Sequence, residues 1–268
     1  MKSPSLRIYA IAYLVFLYAP IILLPLFAFN DSKVVQFPLK GFTLEWFQQM
    51  ASDAQLGIAV KNSLIIALSS SILSTTLGIF AARASTRFTF PAKGAIMGLI
   101  MLPMVLPEII VAMSLLIVLL SIGVKLSLFT IILGHVLICT PFASAILTSA
   151  FQSLDKSLEE AAYDLGETPM STFRLIVLPL VMPGIISAFL ICFTISIDEF
   201  IIANFLGSGE AILSVYIFGQ FRFPAKVPSM LALGTILVLI SICLLTIAAY
   251  FRRRGIAKTG GKDTGGFL

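Results

Sequence analysis

The sequence predicts an all-α membrane protein with six transmembrane helices, and three observations predict it. Hydrophobic residues make up 59% of the 268 positions and charged residues only 12%. A soluble domain is nearer half apolar and a quarter charged, so the apolar excess is too large for a core of this size and its solvent is lipid. The apolar residues gather in six runs, about Ile8–Phe29, Asn62–Ala82, Gly94–Leu120, Leu128–Ser149, Met182–Leu206 and Ser229–Tyr250. Each is close to the roughly 20 residues that a crossing helix needs. Backbone groups in lipid must bond within their own segment, which makes these runs helices.

Taken in order, the first run is longer than a signal-peptide apolar core and is followed by no small-x-small cleavage site, so it reads as a retained helix. The segment Asn30 to Lys61 is the longest external one. Within it Gly41-Phe42-Thr43-Leu44-Glu45-Trp46-Phe47 reads as a short amphipathic helix on the bilayer, with Trp46, the only tryptophan, anchored at headgroup level. Contact with an external binding protein is the alternative reading of that stretch. The second run carries Asn62, Ser63, Ser69, Ser70, Ser71, Ser74, Thr75, Thr76 and Gly78, which suit close helix packing and cross-helix hydrogen bonds, with some hydroxyls free to line a path. The third holds Pro103 and Pro107, each of which removes a backbone donor and is expected to open the helix near Glu108, as in a pathway-lining element. The fourth holds His135, the only histidine, expected to be a hydrogen-bonded packing residue. The fifth ends in Thr194, Asp198 and Glu199. Gly207, Gly209, Pro224 and Pro228, with Tyr216 and Phe218 between, suggest an external cap where a binding protein lands. Residues 1–250 then form one transmembrane domain, and the basic, Gly-rich tail 251–268 is expected to be disordered.

Lys and Arg set the orientation. With the N-terminus inside, the inner segments hold Lys2, Arg7, Arg83, Arg87, Lys93, Lys156, Arg174, Arg252, Arg253, Arg254, Lys258 and Lys262. The outer ones hold half as many: Lys33, Lys40, Lys61, Lys125, Arg222 and Lys226. Both termini and the polar segment 153–179 are therefore expected in the cytoplasm. That segment has the chemistry of a folded loop. Ser157 and Glu160 fit a capping box. Ala161, Ala162 and Leu165 make a small apolar face, and Gly166 suits a left-handed helix end. Thr168-Pro169 can start a second helix, which Pro179 is expected to close.

Several function classes fall away. The net charge of +5 is modest and forms no basic stripe with aromatic interleaving, so no nucleic acid is expected. Cys139, Cys192 and Cys243 show neither metal-ligand nor disulfide spacing. One histidine leaves little room for a metal or nucleophile constellation, so no catalytic residue and no metal site are assigned. An ion-coupled carrier should show repeated halves, and none is visible. Gly255 to Lys262 lacks the Gly-Lys-Ser/Thr core of a phosphate loop, so this chain is not expected to be its own motor.

The acids inside the apolar runs point to a solute. Glu108, Asp198 and Glu199 lie there with no Lys or Arg at comparable depth. A carboxylate at the bilayer centre costs about 2.5–3.5 kcal/mol on insertion scales. It persists where it faces water, a neighbouring subunit or a cation. Thr194 lies one turn before Asp198 and adds polarity to its face. Unpaired negative charge at that depth suits a diamine or polyamine; pairing with polar groups of a neighbouring subunit is the other reading.

The spacing Glu160-Ala161-Ala162, three residues, Gly166, nine residues, Ile176-Val177-Leu178-Pro179 resembles the EAA loop of ABC-importer permeases. With Gly41–Phe47, Pro107-Glu108 and Phe193–Glu199, the chain from residue 8 to 250 resembles the C-type permease of bacterial spermidine/putrescine ABC importers. The resemblance implies a type I importer (MetI-like) permease fold of the bacterial inner membrane. Glu160, Ala161, Ala162, Gly166, Ile176, Leu178 and Pro179 would form a coupling helix and its support. The implied partners are a second, homologous permease in a heterodimer, two copies of an ABC ATPase and a periplasmic polyamine-binding protein. The chain itself would bind no cofactor, since ATP and Mg2+ would be handled by the ATPases. Permeases for iron, phosphonate, sulfate or molybdate share the loop and are the alternative reading, with an ATP-independent carrier behind them.

Overall fold

The computed structural model describes residues 4–258. Among them the helices are α1 (Pro4–Ala28), α2 (Glu45–Ala51), α3 (Ala54–Arg87), α4 (Lys93–Val105), α5 (Glu108–Ser121), α6 (Leu128–Gln152), α7 (Ser157–Asp164), α8 (Pro169–Thr172), α9 (Leu178–Asp198), α10 (Ile201–Leu206), α11 (Leu213–Gln220) and α12 (Val227–Lys258). A π-helical turn, Phe173–Val177, joins α8 to α9, and a 3-10 turn, Pro224–Lys226, leads into α12.

Five single helices are long and apolar enough to cross a membrane, and the bent pair α4–α5 makes a sixth span if counted as one. The span over Gly94–Leu120 is thus opened next to Glu108, as its prolines lead one to expect. It breaks at Leu106-Pro107 with a bend of 109°. Proline disfavours helical backbone in the residue before it, and Leu106 is extended at φ −79°, ψ 145°. Pro103, in contrast, stays inside α4.

The core is the triple contact of α3, α6 and α9, filled by Ile66, Ile131, Leu147, Phe151 and Val181. Small residues let the backbones close in. A β-carbon on Gly78 would lie 2.8 Å from Ala143 Cβ and 3.0 Å from its carbonyl carbon. Across the same seam Ser196 Oγ meets His135 Nδ1 at 2.6 Å and Ser70 Oγ at 3.0 Å, one polar knot from three helices. His135 is buried there, in the packing role read from sequence. Cys139 and Cys192 sit face to face, each thiol donating to the other's backbone carbonyl at 3.7 and 3.5 Å.

Three local expectations are corrected. Trp46 is no headgroup anchor: it is 3% exposed, packs with Ala28 and Ala232, and donates from Nε1 to Asn30 O at 2.8 Å. A β-bridge between Asn30 and Phe42 folds the loop back and seats the indole inward. The helix also starts at Glu45, not Gly41. At the other terminus α12 runs past Tyr250 to Lys258, so residues 251–258 are helical where a disordered tail was expected. The rest of that tail, 259–268, lies outside the described residues. α1 rests mainly on α12 and leaves most of its apolar surface, such as Tyr9 and Phe16, exposed.

Candidate functional site

The Glu160–Pro179 segment folds into a knob at the end of α3 marked by Arg87. Its first helix, α7, starts on Asp155, whose Oδ1 accepts from Ser157 N at 3.0 Å. That corrects the expected Ser157–Glu160 box: the helical backbone already includes Lys156, so the capping acceptor must come from one residue earlier. The α7 end follows the sequence expectation. Gly166 is left-handed at φ +87°. Its N–H reaches Tyr163 O at 2.9 Å, while Glu167 N reaches Ala162 O at 3.0 Å. These two bonds form a Schellman motif, which satisfies carbonyls the helix would leave free. Thr168 Oγ1 then accepts from Ser171 N at 3.2 Å, with Pro169 as the first residue of α8.

Pro179 does not close this second helix, which is a further correction. The π-turn carries α8 directly into α9, with Pro179 in the first turn, where a missing N–H is tolerated. Pro169–Asp198 thus reads as one apolar helix of 30 residues. Ala162 is buried, whereas Glu160, Ala161, Gly166 and Pro179 are exposed and Ile176 and Leu178 half-buried. Leu165, 86% exposed, and Met170, 74% exposed, add an apolar tip to the knob. Glu160, Ala161 and this tip are what the knob presents outward.

Sequence reasoning missed the residues that hold the knob down. Glu159, buried, pairs through Oε1 with Arg87 Nε at 2.6 Å and through Oε2 with Arg83 Nη2 at 3.4 Å. Arg87 Nη2 also donates to Leu154 O at 3.0 Å, and the Arg83 guanidinium lies 4.7 Å from the centre of the Phe173 ring. The four-residue spacing of Arg83 and Arg87 was a visible signal, since it puts both on one helix face. Nothing in the sequence told Glu159 from Glu160 as the inward acid.

The membrane acids separate. α9 ends at Asp198, so Asp198 and Glu199 do not lie on a continuing regular helix. Asp198 is exposed and lines a cavity of about 300 Å3 with Phe200, Ser214, Ile217, Phe218 and Phe221. Phe200 and Phe218 are in ring contact, centroids 4.8 Å apart. Glu199 is buried and turns the other way, its Oε1 accepting from Ile202 N at 2.7 Å to cap α10. Glu108 is exposed at the first residue of α5, directly after the Pro107 break. α10 packs on α5. Thr194 is buried and bonds back to Leu190 O at 2.9 Å, away from the Asp198 cavity. The structure therefore puts Glu199 at the start of α10, which packs on the helix that Glu108 opens, and leaves Asp198 in a cavity that neither lines. No cluster of metal-binding side chains occurs among the described residues.

Comparison with known proteins gives this arrangement a context. The family model described as binding-protein-dependent transport system inner membrane component matches residues 74–256. The chain is 34% identical over 246 residues to the putrescine transport system permease protein PotI of Escherichia coli strain K12, covering 89% of this chain and 87% of the relative. It is 32% identical over 240 residues to the spermidine/putrescine transport system permease protein PotC of Haemophilus influenzae, covering 89% and 93%. Among solved structures, a bacterial ABC transporter involved in import of the acidic polysaccharide alginate aligns with a TM-score of 0.66 at 20% identity, over 94% of this chain and 93% of that one. The inward-facing MetNI methionine ABC transporter aligns with a TM-score of 0.60 at 17% identity, over 76% and 99%.

Proposed function

The chain belongs to the binding-protein-dependent transport system inner membrane component family, and from that premise we propose that it is one half of the pathway of an ABC importer for polyamines. The knob faces the cytoplasm, as the Lys and Arg distribution requires, and docks by Glu160, Ala161 and the Leu165 tip onto an ATP-hydrolysing partner. Two such ATPases, a second homologous permease and a periplasmic polyamine-binding protein complete the assembly. The chain catalyses no reaction and binds no nucleotide; ATP and Mg2+ belong to the ATPases. ATP-driven closure of the ATPases pushes the knobs, and the helices rooted in them switch the pathway between its two openings.

One observation carries the solute class. Asp198 is an exposed carboxylate with no salt-bridge partner among the described residues, set among aromatic side chains at the end of the helix that starts in the knob. A multivalent amine supplies the missing counter-charge, and aromatic faces attract cations. Glu108, exposed at the α4–α5 break and outside the Asp198 cavity, would be a second acid that the solute meets. The relatives' names, which specify putrescine and spermidine, support the same class. Glu199 acts here by holding α10 in place, and Thr194 by packing.

The test is uptake of labelled putrescine and spermidine into vesicles holding the complete transporter. The double variant Glu108→Gln/Asp198→Asn should assemble normally and import at least about tenfold more slowly. Normal import by the double variant would remove the acids from the pathway. Import of some other solute and no amine by the unaltered complex would move the protein to another branch of the family.

A further inference from the structure

We propose that Arg83 is a positioning residue that gears the coupling knob to α3, so that the knob drives two transmembrane helices and not one. The inference rests on the reading of the knob as the ATPase contact. The covalent route of force is plain: α8, the π-turn and α9 are continuous. α7 is joined to α8 by a short linker that includes Gly166 and packs on α8 and the π-turn. Arg83 adds a link from α3 to both α7 and the π-turn. Its Nη2 pairs with Glu159 on α7 at 3.4 Å, and its guanidinium stacks 4.7 Å from the ring centre of Phe173 on the π-turn. One side chain of α3 thus touches both halves of the knob.

The arrangement is asymmetric in a way that suits a moving joint. Arg83 Nη1 is buried without a hydrogen-bond acceptor, so the guanidinium is held by one modest ion pair and an aromatic face, not locked in a full set of bonds. Arg87, four residues on, is the firm attachment: Nε to Glu159 at 2.6 Å and Nη2 to Leu154 O at 3.0 Å. Glu159 is the common acid of both arginines, and its burial makes each pairing harder to replace by water. An aromatic face accepts a sliding cation over a range of offsets without losing all of the attraction. Arg87 therefore pins α7, while Arg83 keeps contact with the π-turn as the two halves of the knob shift against each other.

The measurement is the number of solutes imported per ATP hydrolysed, made on the complete transporter in proteoliposomes. Arg83→Met and Phe173→Leu keep most of the bulk and remove the charge or the ring. Both should leave hydrolysis running and cut imported solute per ATP by about tenfold, a size typical of residues joined in one network. Arg83→Lys keeps the charge without the flat face and should recover part of the loss. The reciprocal exchange Arg87→Glu/Glu159→Arg should restore coupling that Glu159→Gln alone removes. An unchanged ratio in Phe173→Leu and Arg83→Met would overturn the proposal, as would equal loss of hydrolysis and import in both. If unaltered protein neither associates with an ATPase nor imports any solute in exchange for ATP, the underlying functional reading fails instead.

Discussion

The phenol of Tyr216 donates a hydrogen bond to Asp53 Oδ2 over 2.6 Å, joining α11 to the residue that caps α3. Asp53 Oδ1 meanwhile accepts from Gln55 N and Leu56 N at 3.0 and 3.2 Å, and Lys226 Nζ stands 3.6 Å from Oδ2. This cluster lies at the opposite end of α3 from the knob and ties the segment after Gly207 onto the bundle. Tyr216→Phe removes one bond to a carboxylate and should cost about 1–2 kcal/mol locally. Faster hydrogen exchange in residues 213–226, with the knob unaffected, is the expected readout.

The same cluster should be indifferent to pH across the working range. Tyr216, Leu56, Lys226 and Gln55 together hold the Asp53 carboxyl below its usual value, with the Tyr216 bond the largest cause. Burial and the Asp53 charge push the Tyr216 phenol up to about 12. A lowered acid contributes stability above its unfolded value of about 3.9 and loses it as pH falls through the folded one. A raised phenol contributes below about 10 and loses it as pH rises toward its folded value. Protease resistance of the α11 segment should therefore be flat from about pH 5 to 9 and fall only outside that window.

Gly166 sits at φ +87° with no atom within 4 Å of a would-be β-carbon. Gly166→Ala therefore meets backbone strain and no clash. The strain should be about 1–2 kcal/mol, taken up by loosening the turn between α7 and α8. Weaker co-purification with the ATPases, at unchanged thermal stability of the transmembrane bundle, is the expected result.

Gly78 offers the opposite case. Its backbone is ordinary helix, but an added methyl would press on Ala143 backbone and on Ser144 N at 3.1 Å. Gly78→Ala should force α3 and α6 apart and cost about 1–3 kcal/mol. A lower unfolding midpoint in detergent would show it, whereas Gly57→Ala, with nothing within 4 Å, should leave the midpoint unchanged or raise it.

Glu199 and Asp198 should part company on mutation. Glu199→Gln keeps an oxygen to accept from Ile202 N and should preserve α10, while Glu199→Ala removes the cap and should cost about 1 kcal/mol. Asp198→Asn should leave stability alone and slow import. A thermal scan alongside an uptake assay on the three variants separates the two roles.

Much of this was legible in the chain. The apolar runs gave the helices, and Gly166, Thr168 and Pro169 gave the turn inside the knob, because local backbone preferences decide such features. The rest depended on contacts across distance. Pro107 announced a break but not its angle, and Pro179, which looked like a stop, is absorbed by the π-turn just before it. Trp46 has the composition of an interface anchor, yet a β-bridge from Asn30 to Phe42 turns it inward. The adjacent acids 159 and 160, and again 198 and 199, differ wholly in burial. Which member of each pair faces inward was set by α3 in one case and by α10 in the other, not by neighbours in sequence.

The unbroken run from Pro169 to Asp198 would reach about 45 Å as ideal helix. A rod of that length has no independent far end. Any tilt imposed at its root appears at its tip enlarged by the lever arm, so in the proposed importer Asp198 would follow the nucleotide cycle without a messenger in between. Timing between fuel and cargo is then a matter of stiffness, and inserting a flexible residue pair midway along the rod should let the two ends fall out of step.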